Sequence, residues 1–143
     1  MSIQAVTNLL GLYCEAMDSA DFDAVGALFR DGSLCDAHGN TLVEGADAVA
    51  AFYRDSVQLH DGSPCTKHLV MNVIVDDHDD SAGTATLRSS YLVLQGLDGT
   101  MAPMITGRYR DTFARDADGW HFTERRFFVD LAGDLSHHLR FDI

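Results

Sequence analysis

Residues 67–75 read KHLVMNVIV, and this run opens a series of four segments with strand-forming composition. The other three cover residues 82–94, 104–115 and 120–131, and turn-rich stretches separate the four at 76–81, 96–100 and 116–119. Long strands joined by short turns pair in the antiparallel sense. The second half of the chain is therefore predicted to be an antiparallel meander.

Helical periodicity precedes the meander. Apolar residues recur at steps of three and four from Ser2 to Met17, which predicts an amphipathic helix with Ser2 as its N-cap. Asp21 is predicted to cap a short second helix, because its carboxylate can accept from the free N–H groups of the first turn. Gly45 is predicted to open a third helix, so the first half of the chain is mainly helical.

The order of these elements predicts an architecture. A short strand pair over 33–37 and 41–44 lies between the second and third helices, and helices followed by a meander form an α+β pattern. The chain has no internal repeat or linker and is interpreted as one domain over residues 1–143. Long antiparallel strands curl. The curved antiparallel sheet is therefore predicted to wrap around the N-terminal helices and enclose a conical cavity.

Alternation along the strands places candidate residues on shared faces. His68 and Asn72 share one face of the first long strand, and Arg125 and Phe127 share one face of the last. Both faces of these strands also carry apolar residues. The outer face of the sheet is therefore predicted to be covered by a second subunit, in a homodimer or homotrimer.

Composition excludes several classes of function. The chain has 10 Lys and Arg against 22 Asp and Glu, a formal net charge of −12, which argues against nucleic acid and against anionic membrane surfaces as partners. It shows neither a signal-peptide pattern nor an apolar run long enough to span a bilayer. Its three cysteines form no CxxC pair, which favours reduced thiols and a cytoplasmic location.

Two polar residues interrupt the apolar run of residues 67–75. His68 and Asn72 stand where a core strand favours apolar side chains, and a buried polar group costs about 1–3 kcal/mol unless it is hydrogen-bonded. Asp18 follows the last apolar residue of the first helix, and a carboxylate beside an imidazole orients the ring and raises its basicity. Asp18 and His68 are therefore either a catalytic dyad or a structural histidine with its partner.

Arg125 and Arg126 are adjacent on the last strand and so point to opposite faces. An inward Arg125 would be a fixed donor to an anion, and the alternative is an ion pair with Glu124 or Asp130. The four tyrosines, among them Tyr13, Tyr53 and Tyr91, are either hydrogen-bond donors to a substrate carbonyl or core residues.

No cofactor and no metal are predicted. The acidic run at 76–80 lacks the glycine and distal glutamate of a calcium loop, and the adjacent pair His137-His138 is too small a ligand set by itself. The sequence also lacks the glycine-rich motifs that bind nucleotide phosphates and the GxSxG motif of hydrolases.

Several stretches together resemble a known family. LYCEAMDSADFDAVGALFRDGS, EGADAVAAFYRD, CTKHLVMNV, GRYRDTFARDADGWHFTERR and the closing GDLSHHL are similar, in this order, to SnoaL-like domains of the nuclear-transport-factor-2-like superfamily. The resemblance covers nearly the whole chain. It implies a cystatin-like α+β barrel and a role in small-molecule metabolism, such as that of polyketides or aromatic compounds. The fold hosts dehydratases, isomerases, cyclases, epoxide hydrolases and non-catalytic subunits.

Within this superfamily, the scytalone-dehydratase-like and dehydrochlorinase-like branch pairs an aspartate after the first helix with a histidine on the first long strand. Asp18 and His68 stand at those places, and Arg125 in WHFTER resembles the branch's arginine. The chain departs from the pattern at Met17, where scytalone dehydratases have a tyrosine. The resemblance thus implies the dyad, while this departure speaks against a scytalone-type substrate.

The ketosteroid isomerase branch offers a second set of residues. Tyr13 resembles its oxyanion-hole tyrosine and Asp36 its catalytic base. The second oxyanion acid of that branch would fall near Thr106, where the chain has no carboxyl group. This branch therefore matches less completely than the first.

We accordingly expect a cofactor-independent lyase or isomerase for an apolar substrate, cyclic compounds included. Asp18, His68 and Arg125 are the expected catalytic residues. The expected substrate-binding residues are Tyr13, Asn72, Tyr53, Tyr91 and Phe127. The alternatives are a non-catalytic ligand-binding or structural subunit, like the β-subunit of aromatic-ring dioxygenases, and an isomerase that uses Asp36 and Tyr13.

Overall fold

The structure, a computed structural model, describes residues 2–142 and contains three helices and six strands within that range. In chain order the elements are α1 (Ser2–Asp18), α2 (Phe22–Leu28), β1 (Ser33–Cys35), β2 (Thr41–Glu44), α3 (Ala46–Ser56), β3 (Thr66–Asp79), β4 (Thr84–Leu97), β5 (Thr100–Asp116) and β6 (Gly119–Ala132). All four predicted long strands are present, so the meander is confirmed. The predicted α+β class with a curved sheet around the helices is also confirmed.

The sheet is mixed, which corrects the all-antiparallel prediction. Its strand order is β2-β1-β6-β5-β4-β3, and β1 runs parallel to β6 while the other pairs are antiparallel. The sheet curls without closing into a barrel. A three-residue strand such as β1 carries too little pattern to indicate its partner, and the partner here is the last strand of the chain.

The helices begin and end where local chemistry favours it. The Asp21 carboxylate accepts from the backbone N–H of Ala24 at 3.1 Å, which confirms its predicted capping role. Gly45, with φ of 89°, precedes the first residue of α3. Ser2 is the first residue of α1, and its predicted capping role falls on a side chain outside the described part of the structure.

The main core lies between the helices and the concave face of the sheet. Val6 of α1, Leu87 of β4 and Phe122 of β6 are completely buried in it. Burying one such side chain stabilises the fold by about 1.5–3 kcal/mol. This packing fixes α1 across the sheet, so the last turn of α1 comes to lie against the start of β3.

A β-bulge interrupts β3 at Asn72. The pairing with β4 shifts between Met71 and Ile74, and Asn72 has a left-handed φ of 54°. Asparagine tolerates this conformation better than most residues. The bulge breaks the alternation, so Asn72 is exposed beside Arg88 and Arg108 and does not reach the cavity. Asn72, which was predicted to bind substrate, therefore lies outside the wall of this cavity.

The strand β3 also continues through residues that the sequence placed in a turn. Asp76 to Asp79 belong to β3, and all of them are exposed. β3 is an edge strand of the sheet, and charged residues on an edge disfavour pairing with other chains.

The residues after β6, here called the C-terminal segment (residues 133–142), fold back over the open end of the sheet. The backbone N–H of Gln58 donates to His138 O at 2.8 Å, and the N–H of Arg140 donates to Ser56 O at 2.9 Å. The Gln58 side chain donates to Leu139 O at 2.6 Å. These bonds hold the segment against the end of α3. Within residues 2–142, no helix is both long and apolar enough to cross a bilayer.

Candidate active site

A partly open cavity of about 110 Å³ lies between α1, α3, the concave side of the sheet and the C-terminal segment. Most of its wall is aliphatic or aromatic, which suits an apolar ligand. Its polar wall residues are Tyr13, Tyr53, Ser56, His68, Tyr91, Tyr109 and His138. Of the predicted substrate-binding residues, Tyr13, Tyr53, Tyr91 and Phe127 all line this cavity.

Asp18 and His68 are in direct contact at one end of the cavity. The Asp18 Oδ1 atom lies 2.6 Å from His68 Nδ1, and the His68 side chain is 7% exposed. The same carboxylate accepts from the backbone N–H of His68 at 2.9 Å and from Thr66 Oγ1 at 2.9 Å. Asp18 is the last residue of α1 and His68 the third of β3, so the packing of α1 on the sheet brings them together.

The protonation of this pair follows from its hydrogen bonds. Burial raises the pKa of the Asp18 carboxyl, but bonds from the His68 ring, the His68 backbone and Thr66 outweigh it and hold the pKa below its ordinary value. An ionised carboxylate only accepts hydrogen bonds, so the shared proton belongs to His68 Nδ1. In the neutral tautomer that keeps this bond, Nε2 carries the lone pair of a ring that lines the cavity.

Tyrosine hydroxyls form a second polar group in the cavity. The hydroxyls of Tyr13 and Tyr53 are 2.5 Å apart, and the ring of Tyr109 lies against both Tyr13 and Tyr91. Burial raises the pKa of Tyr13, Tyr53 and Tyr109, and it raises the pKa of Tyr91 to about 12. All four hydroxyls therefore stay protonated at neutral pH. One proton of the Tyr13 and Tyr53 pair is used in their mutual hydrogen bond, which leaves the other for a ligand oxygen.

Tyr91 owes its position to a glycine on the neighbouring strand. Gly107 pairs with Tyr91 across β4 and β5, and a Cβ on Gly107 would lie 2.6 Å from the Tyr91 hydroxyl oxygen and 1.8 Å from Phe128 O. The absence of that carbon lets the Tyr91 hydroxyl donate to Phe128 O at 3.0 Å. Tyr91 thus contributes its ring to the wall, with its hydroxyl already engaged.

Arg125 is buried beneath the cavity. Its side chain is 0% exposed and donates to both carboxylate oxygens of Asp111, at 2.8 and 2.9 Å. Its guanidinium lies 3.6 Å from the ring centroid of Tyr109 and 4.3 Å from that of Tyr13. Burial opposes the charge, but the adjacent Asp111 outweighs it and raises the pKa of Arg125. Tyr13 and Tyr109 therefore separate Arg125 from the cavity, whose wall it does not form.

This arrangement changes the interpretation of Arg125. The sequence offered an inward donor or an ion pair with Glu124 or Asp130, and the structure shows an inward arginine paired with Asp111. Glu124 pairs with Arg126 and Asp130 with Arg108. Asp111 lies on β5, directly opposite Arg125 in the register, which the sequence pattern alone does not indicate.

Asp36 also lies outside the cavity wall. Its carboxylate accepts from the backbone N–H groups of His38 and Asn40 and from the Asn40 side chain, all at 2.9–3.0 Å. The Asn40 side chain and backbone bonds lower the pKa of Asp36 despite the opposing effect of burial. Asp36 therefore stabilises the β1–β2 turn. Tyr13 lines the cavity, but the base that the isomerase alternative needs does not.

Two cavity residues were missed as site residues from the sequence. Tyr109 was grouped with the other tyrosines but not assigned to the site. His138 was considered only as a metal ligand, yet it is 6% exposed and lies with His68 on the cavity wall. The stretch GDLSHHL carries no helical or strand period that would have indicated which of its two histidines lies inward.

One group of side chains has the composition of a metal site. Asp31, Asp116 and His121 bring one ligand atom each within 4.8 Å of one another. The Arg30 guanidinium is already placed there, 2.8 Å from Asp116 Oδ1 and 3.0 Å from His121 Nδ1. The arginine supplies the positive charge that a metal would bring, so this group is interpreted as an ion-pair cluster.

Comparison with known proteins places the chain in a family. The family model for SnoaL-like domains matches residues 2–126, and the chain belongs to this family. A search of proteins with curated descriptions gives no match.

Three solved structures with the same fold come from Novosphingobium aromaticivorans. An NTF2-like protein with a cystatin-like fold has a TM-score of 0.74 and 23% identity, over 95% of this chain and 86% of that one. A "putative scytalone dehydratase" has a TM-score of 0.71 and 20% identity, over 92% and 86%. The β-subunit of a "putative aromatic-ring-hydroxylating dioxygenase" has a TM-score of 0.69 and 14% identity, over 91% and 90%. These likenesses show the fold.

Proposed function

We propose that the protein is a cofactor-independent lyase or isomerase, of the dehydratase type, with Asp18 and His68 as its catalytic dyad. The observation that carries this proposal is the 2.6 Å contact between Asp18 Oδ1 and His68 Nδ1 beside an apolar cavity. The likeness to a "putative scytalone dehydratase" supports the same class of reaction.

The dyad supplies a general base. Asp18 holds the Nδ1 proton of His68, which leaves the Nε2 lone pair to accept a proton from a substrate carbon. Such a carbon is acidic enough only when a carbonyl group stands next to it. General-base catalysis contributes about 10²–10⁴-fold, so the remaining acceleration has to come from positioning and exclusion of water.

Negative charge that develops on the substrate needs donors. Tyr13, Tyr53 and Tyr109 line the cavity as neutral hydroxyls. Tyr109 and the one of Tyr13 and Tyr53 whose proton is free of their mutual hydrogen bond can donate to the developing charge. Arg125 enters the proposal as a positioning residue, because it lies under the rings of Tyr13 and Tyr109 and is not part of the cavity wall.

The size of the cavity limits the substrate. A cavity of about 150 Å³ in another protein binds benzene, and the volume here is about 110 Å³. A substrate of about one six-membered ring, with part of it at the open side of the cavity, suits this volume. An aromatic or alicyclic intermediate fits this volume better than a fused-ring polyketide. Three unpaired cysteines favour a reducing, cytoplasmic setting for this chemistry.

The test is base-catalysed proton exchange in a small cyclic ketone. Wild-type protein should speed the exchange of the α-protons of cyclohexanone for deuterium in D₂O, followed by proton NMR. His68→Gln should slow this exchange by about 10²-fold or more. The matched control is His121→Gln, because His121 is also buried but contacts Arg30 rather than the cavity.

The outcome of this experiment separates the dyad from a structural pair. Slow exchange in His68→Gln, with a melting temperature near that of the wild type, supports the proposal. If His68→Gln is destabilised but still exchanges the α-protons at the wild-type rate, the histidine is structural. Binding of cyclohexanone without any exchange would favour the second candidate, a non-catalytic ligand-binding or structural subunit, to which the likeness with a dioxygenase β-subunit also points.

We also propose that the outer sheet face mediates a homodimer or homotrimer. The edge strand β3 exposes apolar side chains that a monomer would leave in water, each 36% exposed or more: Leu69, Met71, Val73, Ile74 and Val75. Light scattering after size-exclusion chromatography should give a mass of two or three chains. A monomeric mass at micromolar concentration would contradict this proposal.

A further inference from the structure

A second imidazole lies beside His68 on the cavity wall. His138, in the C-terminal segment, is 6% exposed, and its ring centroid lies 6.3 Å from that of His68 with an interplanar angle of 62°. Both rings line the same cavity. A molecule of about one ring in this space would contact both imidazoles.

The backbone holds His138 in place without using its ring. Its N–H donates to Leu135 O at 3.0 Å, and its carbonyl accepts from Gln58 N at 2.8 Å. The adjacent Leu139 forms a β-bridge with Val57. The position of the imidazole is thus determined by main-chain bonds on both sides, and the ring nitrogens contribute nothing to it.

The ring of His138 has an unused polar atom. Its Nδ1 is buried and has no hydrogen-bond partner within residues 2–142. Most buried polar atoms in proteins are paired, because leaving one unpaired costs free energy. The other buried histidines fit this rule, since His68 bonds Asp18 and His121 bonds Arg30. Because Nδ1 is closed off and the ring lines the cavity, a ligand oxygen there would meet His138 at its other ring nitrogen, Nε2.

The surroundings keep this ring neutral. Burial lowers the pKa of His138 to about 4, the nearby His68 acts in the same direction, and Asp18 opposes both. At neutral pH the ring therefore carries one N–H donor and one lone pair. A neutral imidazole is an effective hydrogen-bond donor to an enolate oxygen, as the catalytic histidine of triosephosphate isomerase illustrates.

We propose that His138 is a second catalytic residue, whose N–H binds the carbonyl oxygen of a β-hydroxy ketone while His68 removes the α-proton. This inference rests on the proposed function and names its substrate class. The His138 assignment adds a donor beside His68 to the tyrosine donors of the proposed site.

The step balances without any co-reactant. The electron pair of the α C–H bond becomes the C=C bond of the enolate as its proton moves to His68 Nε2. The enolate oxygen carries the negative charge and accepts the His138 N–H. The carbonyl then re-forms, and the enolate electron pair moves to make the α,β-double bond while the β C–O bond breaks. The hydroxide that leaves takes the proton from His68 Nε2 and departs as water. The product is an enone, and both histidines are restored.

The experiment follows dehydration of 3-hydroxycyclohexanone to cyclohex-2-enone by the ultraviolet absorbance of the enone. His138→Phe fills the site but cannot donate, and should lower kcat by about 10²–10³-fold, the effect of removing one oxyanion donor. His138→Gln keeps an N–H donor and should stay within about 10-fold of the wild type. His137→Gln is the matched control, because the adjacent His137 is exposed.

Binding distinguishes failure of this inference from failure of the proposed function. Calorimetry should show that the wild type prefers cyclohexanone to methylcyclohexane, and that His138→Phe loses this preference while His137→Gln keeps it. If the wild type turns nothing over, the proposed function fails, yet loss of ketone preference in His138→Phe still supports the donor role. Wild-type kcat or an unchanged ketone preference in a folded His138→Phe would overturn the assignment.

Discussion

The molecule contains two buried pairs of an acid with a nitrogen base, and they differ in whether they reach the cavity. Arg125 and Asp111 are both 0% exposed, and both carboxylate oxygens are used by the guanidinium. Asp18 and His68 are joined by one ring nitrogen, and the other nitrogen belongs to a ring on the cavity wall. Arg125 Nη1 is also buried without a hydrogen-bond partner, but neither Arg125 nor Asp111 forms the cavity wall, whereas His68 does. A buried acid–base pair indicates a catalytic site only when one of its side chains contacts a cavity where a ligand can bind.

The pair of Arg125 and Asp111 should matter most for stability. Asp111→Ala leaves the Arg125 charge buried without its partner, and breaking a buried pair in this way costs about 3–5 kcal/mol. We expect the free energy of unfolding in urea to fall by that amount. Asp130→Ala is the matched control, since Arg108 and Asp130 are both about half exposed and such a pair is worth about 0–1 kcal/mol. Equal losses in the two variants would contradict the contrast between buried and exposed pairs.

The pair of Asp18 and His68 should matter most for activity. Asp18→Asn removes the carboxylate that holds the proton on His68 Nδ1, so the ring can take the wrong tautomer. We expect the exchange rate of cyclohexanone α-protons to fall by about 10²-fold, equivalent to about 2.7 kcal/mol of transition-state stabilisation. Asp36→Asn, at the β1–β2 turn, should leave the rate unchanged. A rate that depends on Asp36 and not on Asp18 would restore the isomerase alternative.

The smallest predicted effect is the contribution of His138, on the cavity wall, to the pH dependence of the free energy of unfolding. The pKa of His138 is about 4 in the folded protein, lowered from 6.5 by burial. Between these values the unfolded chain binds the proton and the folded protein does not, so stability is full above about pH 6.5 and falls as the pH drops towards 4. The slope from this one group is at most about 1.4 kcal/mol per pH unit.

Urea unfolding of the wild type and His138→Phe at several pH values measures this slope. The variant should lose the part of the pH dependence that lies between pH 4 and 6.5, and His137→Gln should keep it. Asp18 titrates in a separate range, because its pKa lies below the ordinary value and its contribution is lost only below about pH 4. An identical slope in the wild type and His138→Phe would contradict the predicted burial of a neutral ring.

Local pattern was sufficient for much of the fold and part of the site. The helical periodicity from Ser2 to Met17 and the four β segments have a single compatible architecture, and the structure has it. The polar interruption at His68 pointed to a partner, and Asp18 was the carboxylate at the end of the helix that packs there. These inferences worked because each depends on a spacing that the chain itself carries.

Other inferences failed where the backbone departs from regular geometry or the partner is distant in sequence. Asn72 was placed inward by alternation, but a left-handed bulge breaks the alternation at that residue. The partner of Arg125 was sought among its neighbours on the strand, whereas Asp111 lies opposite on β5. From the sequence, His138 and His137 were considered together as possible metal ligands. The backbone bonds that hold this segment against α3 and Gln58 form only in the folded chain, so local pattern does not indicate them.

The amino-acid sequence by itself determined the elements, their order and a candidate pair of Asp18 and His68. Those features follow from hydrophobic period and from the cost of burying an unpaired polar group, and both act over a few residues. Only the tertiary structure decided which buried groups meet the cavity. That choice depends on strand register, one bulge and the return of the C-terminal segment, which join residues far apart along the chain.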